Sequence, residues 1–237
     1  MKIAVIADIH GNLAGFSAVL EDMKKQKPDQ VRCVGDLVGY GPFPNEVIER
    51  IRREQIATVQ GNYDEGVGND LMACGCDYKD EKALELGSKS LFWTQDEVTK
   101  EHKKYLQSLP EKLSERFDRW KILFVHGSPR ANNEYLFEDH EELPAIVKEI
   151  GEDILVMGHT HLPYHKRVEG KHVINAGSAG KPKHGTPDVS YILIALDEKS
   201  VQVEIRYVDY DAEKTASAIE ASGLPVEFAD MVRTGRG

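Results

Sequence analysis

Two carboxylates, one amide and four imidazoles stand in five short runs of this chain: Asp8-Ile9-His10, Gly35-Asp36, Gly61-Asn62, His126-Gly127 and Gly158-His159-Thr160-His161. Seven donors of these kinds are enough to hold two divalent cations side by side, and such a pair is suited to hydrolysing phosphate esters. Asp36 can use both carboxylate oxygens and so bridge two cations, and Asn62 offers a neutral carbonyl oxygen. Imidazole and carboxylate without thiolate suit manganese, iron, zinc, cobalt or nickel, with manganese or iron favoured and magnesium disfavoured by so many nitrogens. Two dications against two aspartates leave a positive site, even after a bridging hydroxide removes one charge. A phosphodiester anion is therefore attracted. The hydroxide is available near neutrality because a bound metal lowers the pKa of water from ~16 to roughly 7.

Each run follows a stretch that reads as a buried strand, and these strands must bring the runs together. Residues 3–7, 31–34, 57–59, 121–125 and 153–157 are short and apolar, as buried strands are. Between the first three lie two helical patterns. One covers 13–23, with Phe16, Val19, Leu20 and Met23 at helical spacing and Asn12 as N-cap. The other opens at Pro44-Asn45 and runs through Ile48 and Ile51. Strand–helix alternation of this kind makes a mostly parallel sheet, whose ligands bind where strands end at their carboxyl edge. Asp8 and His10 are two apart, and on extended chain such side chains point the same way; His159 and His161 repeat the pattern. One Asp-x-His or one Gly-Asp usually marks a turn, and a single histidine after a strand is more often packed or exposed than ligating. Five runs in this order, each at a strand end, are an improbable coincidence.

The remainder reads as follows. Residues 63–110 are polar and mostly helical, an inserted cap or lid rather than a separate domain. Strands are expected at 113–117, 164–168 and 172–174, the last two joined by a Glu169-Gly170-Lys171 turn, and at 190–196 and 201–208 as an antiparallel pair. A helix is expected over 141–150, and two short helices at 212–221 and 226–232 lie in a C-terminal segment, 210–237. No internal repeat or low-complexity linker interrupts the 237 residues, so one domain, 1–237, is expected. Parallel alternation combined with antiparallel hairpins suggests two sheets stacked face to face and flanked by helices.

Composition narrows the functions. The formal net charge of −10 argues against a long nucleic acid as partner, which would call for a basic stripe. It leaves a small phosphoester as substrate, because bound cations dominate the field of a metal site. No apolar run approaches the length that a bilayer needs, and the first residues lack a secretory pattern. Three cysteines, Cys33, Cys74 and Cys76, are sparse and odd in number, which points to a reducing cytoplasm. Cys74-Gly75-Cys76 lacks the second pair of a structural zinc site and reads as free thiols in a loop. Nothing in the sequence specifies an oligomeric state.

Together the runs resemble the calcineurin-like metallophosphoesterases, whose pattern is D-x-H, G-D, G-N, a histidine after a strand, and G-H-x-H. Asp8-Ile9-His10-Gly11-Asn12, Gly35-Asp36-Leu37-Val38-Gly39-Tyr40-Gly41-Pro42 and Asn175-Ala176-Gly177-Ser178 are similar to the small bacterial and archaeal phosphodiesterase-like branch, which usually has Pro where Ala176 stands. The resemblance implies an α/β fold, a four-layer αββα sandwich of two mixed sheets with an inserted helical cap. It implies that Asp8, His10, Asp36 and His161 bind one metal and that Asp36, Asn62, His126 and His159 bind the other, with Asp36 shared. It departs from many relatives at Tyr63, where they carry a histidine that stabilises phosphoryl oxygens or protonates the leaving group. A phenol, with an ordinary pKa near ~10, can donate a hydrogen bond but is a poor acid at neutral pH. Tyr63 either serves that way or packs under the cap.

Other residues near the runs have two readings each. Asn12 is an N-cap or a phosphate contact. Arg130, four places after His126, is a bidentate phosphate clamp or a solvated loop arginine. Lys181 and Lys183 stand in a basic loop that contacts substrate or merely lies on the surface. Tyr40 and Tyr135 stack on a nucleobase or pack. The function expected is hydrolysis of phosphodiesters of small molecules or nucleotides by a metal-bridging hydroxide, with Asp36, Asn62 and Tyr63 at the reaction centre. A phosphomonoesterase or phosphoprotein phosphatase and a dinucleoside polyphosphate hydrolase are the alternatives. A non-catalytic scaffold, as in the retromer coat, where catalytic ligands are altered, fits less well because the full set of seven ligands is present.

Overall fold

The structure, a computed structural model, describes residues 1–78 and 80–236. The chain opens with β1 (Lys2–Ile6), α1 (Leu13–Gln26), β2 (Gln30–Cys33), α2 (Pro44–Arg53) and β3 (Ala57–Thr58). This is the alternation expected from periodicity. In α1, Phe16, Val19, Leu20 and Met23 are buried on one face, and Asn12 caps the first turn by accepting from Gly15 N. Pro44 begins α2, where its missing N–H would have had no helical partner anyway.

Three helices, α3 (Asn62–Gly68), α4 (Glu81–Glu97) and α5 (Lys100–Gln107), fill the stretch expected as a cap. Asn62 is itself the first residue of α3, one place ahead of the expected boundary, and residues 71–78 carry no helix. The rest is β4 (Lys112–Phe117), β5 (Trp120–Val125), α6 (Leu143–Glu149), β6 (Ile154–Met157), β7 (Tyr164–Val168), β8 (Lys171–Asn175), β9 (Val189–Leu196), β10 (Val201–Val208), α7 (Ala212–Ser222) and α8 (Glu227–Thr234). Most boundaries shift by one to three residues from the sequence reading, and two of the shifts have a local cause. The helix expected from 141 starts at Leu143, set by Pro144 in its first turn. Lys171 belongs to β8, because Glu169 and Gly170, at φ 50° and 79°, close the hairpin as a two-residue turn.

One sheet runs β10-β9-β1-β2-β3 and the other β4-β5-β6-β8-β7. Both are mixed: β1, β2 and β3 are parallel, as are β5, β6 and β8, while β9, β10, β4 and β7 pair antiparallel. Strand side chains alternate between faces. Ile3 and Val5 of β1 meet Ile122, Phe124, Ile154 and Val156 between the sheets. Ala4 and Ile6 turn to the outer face under α1 and α2, and Leu123, Val125, Leu155 and Met157 turn outward under α6. The result is two sheets flanked by helices in four layers. Helices α7 and α8 bury Ile219, Phe228 and Val232 against Tyr40, Leu86 and Trp93, tying the C-terminus to the cap. Among the described residues no helix is long and apolar enough to cross a membrane. The carboxyl ends of β1, β2, β5 and β6, with the start of α3, carry all five ligand runs.

Candidate metal centre

The seven side chains form two adjoining groups, each at most 4% exposed to solvent. In the first, Asp8, His10 and His161 present donor atoms within 4.8 Å of one another, and Asp36, His126 and His159 do so in the second. His10 Nε2 lies 3.6 Å from Asp8 Oδ1, and His161 Nε2 lies 3.3 Å from the same oxygen. His126 Nε2 is 3.0 Å from Asn62 Oδ1, which places Asn62 in the second group. Asp36 Oδ2 stands between the groups, 3.6 Å from His10 Nε2 and 3.3 Å from His126 Nε2.

These residues do not converge by the pleat of extended chain, and that expectation is corrected. Asp8, His10, Asp36, His159 and His161 all have left-handed backbone, at φ 53°, 48°, 55°, 65° and 60°. Each chain turns sharply as its strand ends, and the alternate residues are folded inward by the turn. Left-handed backbone at non-glycine residues costs about 1–3 kcal/mol each and persists only where the surroundings over-determine it. Backbone hydrogen bonds do so here: Asp8 N donates to Gly35 O at 3.0 Å and His10 N to Asp36 O at 3.0 Å, locking the two runs together. Close approach also requires Gly61, where a Cβ would lie 2.1 Å from Asp36 Oδ1.

Backbone carbonyls choose which imidazole nitrogen each histidine offers. His10 Nδ1 donates to Val38 O at 2.9 Å, His126 Nδ1 to Val34 O at 2.7 Å and His161 Nδ1 to Lys181 O at 2.6 Å. A carbonyl only accepts, so these protons sit on Nδ1 and the Nε2 lone pairs are free for a cation. His159 is reversed. Its Nε2 donates to Asn133 O at 3.1 Å, which leaves the Nδ1 lone pair free for a cation.

The electrostatics fit a pair of cations. Asp8 and Asp36 are buried against the ring nitrogens of His10, His161 and His126, and burying carboxylates without a cation is costly. Asp8 Oδ1 is buried and accepts no hydrogen bond. His10 Nε2 and His161 Nε2 face each other at 3.2 Å with both Nδ1 atoms already protonated, an opposition of lone pairs that a cation relieves. Burial works against ionised Asp8, but His161 and His10 hold its carboxyl well below the usual range. Burial likewise opposes ionised Asp36, and His126 overrides it. The converse at His126 raises that imidazole to about 10 against its own desolvation, through Asp36. His159 and His161 are pushed down to about 3, by burial first and then by His126 and Lys183 respectively. His159 and His161 are thereby held in the neutral form that ligates, whereas His126 gives up its second proton when a cation binds.

The residues outside the seven are placed as follows. Asn12 accepts from Gly15 N and Thr215 Oγ1 and donates to Gly180 O and Tyr210 Oη, so its amide is fully engaged within the fold and only 1% exposed. Arg130 is exposed, and its guanidinium is held by Glu134 and Glu142. Tyr63 is 1% exposed, with its ring in the space that a Cβ on Gly39 would fill. Its hydroxyl is turned to the cap, 3.3 Å from Tyr78 Oη and 3.4 Å from Gly87 O, while its backbone N–H donates to Asp36 Oδ1 at 2.9 Å. Lys181 is buried beside the first group, with Nζ 4.7 Å above the Tyr40 ring, and lines a small cavity with His10 and Tyr40. Burial, then Lys183, pushes its ammonium down to about 7. Tyr135 packs on the His159 ring at 3.9 Å between centroids and stacks with Phe137 at 5.9 Å.

Several supporting residues escaped the sequence reading. Fully buried Asp64 accepts from Asp36 N at 2.9 Å, Leu37 N at 2.9 Å and Gly61 N at 3.1 Å, pinning the Asp36 turn to the start of α3. Burial and the charge of Asp36 raise its carboxyl to about 7, with these donors pulling the other way. Asn175 Nδ2 donates to Gly158 O at 2.6 Å, and Ser178 Oγ to Asp8 O at 2.7 Å, each bracing a ligand turn. Their signal was the bare occurrence of Asp64 in Gly61-Asn62-Tyr63-Asp64 and of the Asn175-Ala176-Gly177-Ser178 run, neither of which states a partner.

Comparison with known proteins agrees with this geometry. The calcineurin-like phosphoesterase superfamily domain matches residues 1–199. An uncharacterized protein of Methanocaldococcus jannaschii is 35% identical over 99% of this chain and 98% of its own length. Phosphodiesterase YfcE of Escherichia coli K12 is 26% identical over 85% of this chain and 91% of its own. The crystal structure of a metallophosphoesterase from Sphaerobacter thermophilus superposes with a TM-score of 0.80 at 28% identity, covering 99% of both chains.

Proposed function

We propose, from the premise that this chain belongs to the calcineurin-like phosphoesterase superfamily and is a metal-dependent phosphoesterase, that it hydrolyses phosphodiesters of small molecules or nucleotides at a two-cation centre. One observation carries the reading: Asp36 Oδ2 stands between His10 Nε2 and His126 Nε2, where a single carboxylate serves both groups. In this reading Asp8, His10, Asp36 and His161 hold one ion and Asp36, Asn62, His126 and His159 the other, manganese or iron being favoured. Bound there, the cations supply Lewis acidity at the phosphoryl oxygens and a hydroxide nucleophile near neutral pH.

The chain's own residues do the rest. Lys181, beside His10 and close to a second lysine, sets positive charge where phosphoryl oxygens gather. Replacing it with methionine is expected to lower kcat about tenfold to a hundredfold with a smaller change in KM, as measured by steady-state hydrolysis of an aryl phosphodiester. Lys183 is assigned to the same anion. The Tyr63 hydroxyl is directed to Tyr78 and Gly87, so it delivers no proton to a leaving group and acts through the N–H that steadies Asp36. Rates should therefore depend steeply on leaving-group acidity; a flat plot across aryl phosphodiesters would contradict this.

The name of the Escherichia coli relative, phosphodiesterase, supports the diester. The Tyr135–Phe137 stack supports a nucleotide, because it leads from His159 to an open cleft of about 510 Å³ lined by Phe137, Glu138, Asp139 and Pro163. Phe137 is 40% exposed there. Phe137→Ala is expected to reduce kcat/KM about tenfold for the p-nitrophenyl ester of a nucleotide, since a base on an aromatic face contributes ~1–3 kcal/mol. The p-nitrophenyl ester of methyl phosphate should be unaffected, and equal losses on both would remove the stacking role. Free cysteines support a cytoplasmic setting. The deciding experiment strips the protein with chelator, restores each candidate metal and compares an aryl diester, an aryl monoester, a dinucleoside polyphosphate and a phosphopeptide. Preference for either of the last two, or for the monoester, would replace the diester reading.

A further inference from the structure

Cys74-Gly75-Cys76 lies against the second ligand group and not in open solvent. Asn62 Nδ2 donates to Cys74 O and to Cys76 Sγ, each at 3.1 Å. Asn133 Nδ2 donates to Gly75 O at 2.9 Å, and Asn133 O is the carbonyl that receives His159 Nε2–H. The tripeptide therefore steadies Asn62 directly and His159 through one residue. Gly75, at φ 71°, turns the chain between the two cysteines. Cys74 Sγ is also 3.3 Å from Tyr78 Oη. Cys74 is 7% exposed and Cys76 more so, and neither is in a disulfide. The hydrolytic reaction uses neither sulfur.

We propose that Cys74 and Cys76 are a peroxide-reactive thiol pair, and that their oxidation to a disulfide releases the cation held by Asn62, His126 and His159. The sulfur of Cys76, the more exposed residue of the two, attacks the O–O bond of hydrogen peroxide, giving a sulfenic acid and one water. The sulfur of Cys74 then attacks Cys76 Sγ. The S–O bond breaks, and the departing hydroxide takes the thiol proton as a second water. The peroxide gains two electrons and the two thiols lose them. Bond formation draws Cys76 Sγ toward Cys74 and away from Asn62 Nδ2. Asn62 then keeps only the Cys74 carbonyl, which moves with the same turn, and its Oδ1 loses the fixed aim at His126. A dithiol reductant reverses the sequence.

This inference rests on the proposed role of Asn62 as a cation ligand, and its test reads thiol state and metal content apart from activity. The metal-loaded protein is treated with hydrogen peroxide and desalted. The peptide carrying both cysteines is weighed, and bound manganese is measured per chain. The expected result is loss of two hydrogens from that peptide, a fall in manganese from two per chain toward one, a parallel loss of diesterase activity, and recovery of all three with dithiothreitol. In Cys74→Ser the same treatment should leave a dimedone-reactive sulfenic acid on Cys76 in place of the disulfide. Both thiols surviving peroxide, or a disulfide forming with manganese unchanged, would overturn the proposal. If the reduced protein binds only one cation, the two-cation reading fails, and with it the proposed release, even where the disulfide forms.

Discussion

Asp36→Asn is expected to lower turnover at least about a thousandfold while leaving the fold intact. The substitution is nearly isosteric, and the amide oxygen can still accept from Tyr63 N in place of Asp36 Oδ1. The second oxygen is different. Asp36 Oδ2 is the atom within 3.6 Å of His10 Nε2 and 3.3 Å of His126 Nε2, and an amide NH2 there would point hydrogens where a shared cation ligand must be. Under the two-cation proposal, both ions would then lose a ligand and a negative charge at once. The measurement is hydrolysis of an aryl phosphodiester together with metal content after dialysis, and content should drop from two ions per chain to one or none. Folding free energy by urea titration of the metal-free protein should stay within about 1 kcal/mol. A variant that keeps two ions and a tenth of the activity would remove Asp36 from the bridging position.

Asp64→Ala is expected to be the most damaging single change to the site's scaffold, although Asp64 lies outside the seven and its hydrogen bonds are to backbone N–H groups. Its carboxylate accepts three backbone N–H groups, those of Asp36, Leu37 and Gly61, in a fully buried position. Alanine leaves all three donors without that acceptor. Each orphaned buried donor costs about 1–3 kcal/mol, so a loss of at least ~3 kcal/mol is expected in urea unfolding with chelator present. Asp64→Asn keeps an acceptor oxygen and removes the charge that Asp36 opposes, and it should lose less than half as much. In both variants manganese affinity should fall, because the turn that aims Asp36 is no longer tied to α3. If Asp64→Ala unfolds at the wild-type midpoint, the three hydrogen bonds do not hold the turn.

The legible part of this centre was chemical type. Asp8, His10, Asp36, Asn62, His126, His159 and His161 were identifiable because carboxylate, amide and imidazole recur after short apolar strands, and the structure brings all of them together. The layers were legible for a similar reason. Side chains of Ile3 and Val5 against those of Ala4 and Ile6 follow the period of two that any strand imposes. Backbone conformation at the ligands was not legible. Asp8-Ile9-His10 has the same residue spacing whether extended or turned, and only the hydrogen bonds from Asp8 N and His10 N to the Gly35–Asp36 turn decide for the turn.

The sequence by itself determined which elements could bind cations, in what order, and on which strand ends. Tertiary structure alone decided how each is used. It set His10, His126 and His161 to offer Nε2 and His159 to offer Nδ1, through carbonyls of residues 28, 92, 20 and 26 positions away. It drew Asn12 into four hydrogen bonds within the fold, turned the Tyr63 hydroxyl into the cap, and seated Cys76 on Asn62. The physical reason is common to all of these. Strand and helix patterns arise from near neighbours along the chain, whereas a polar side chain takes the partner that the packed fold leaves within hydrogen-bond reach, and that partner has no fixed offset in sequence.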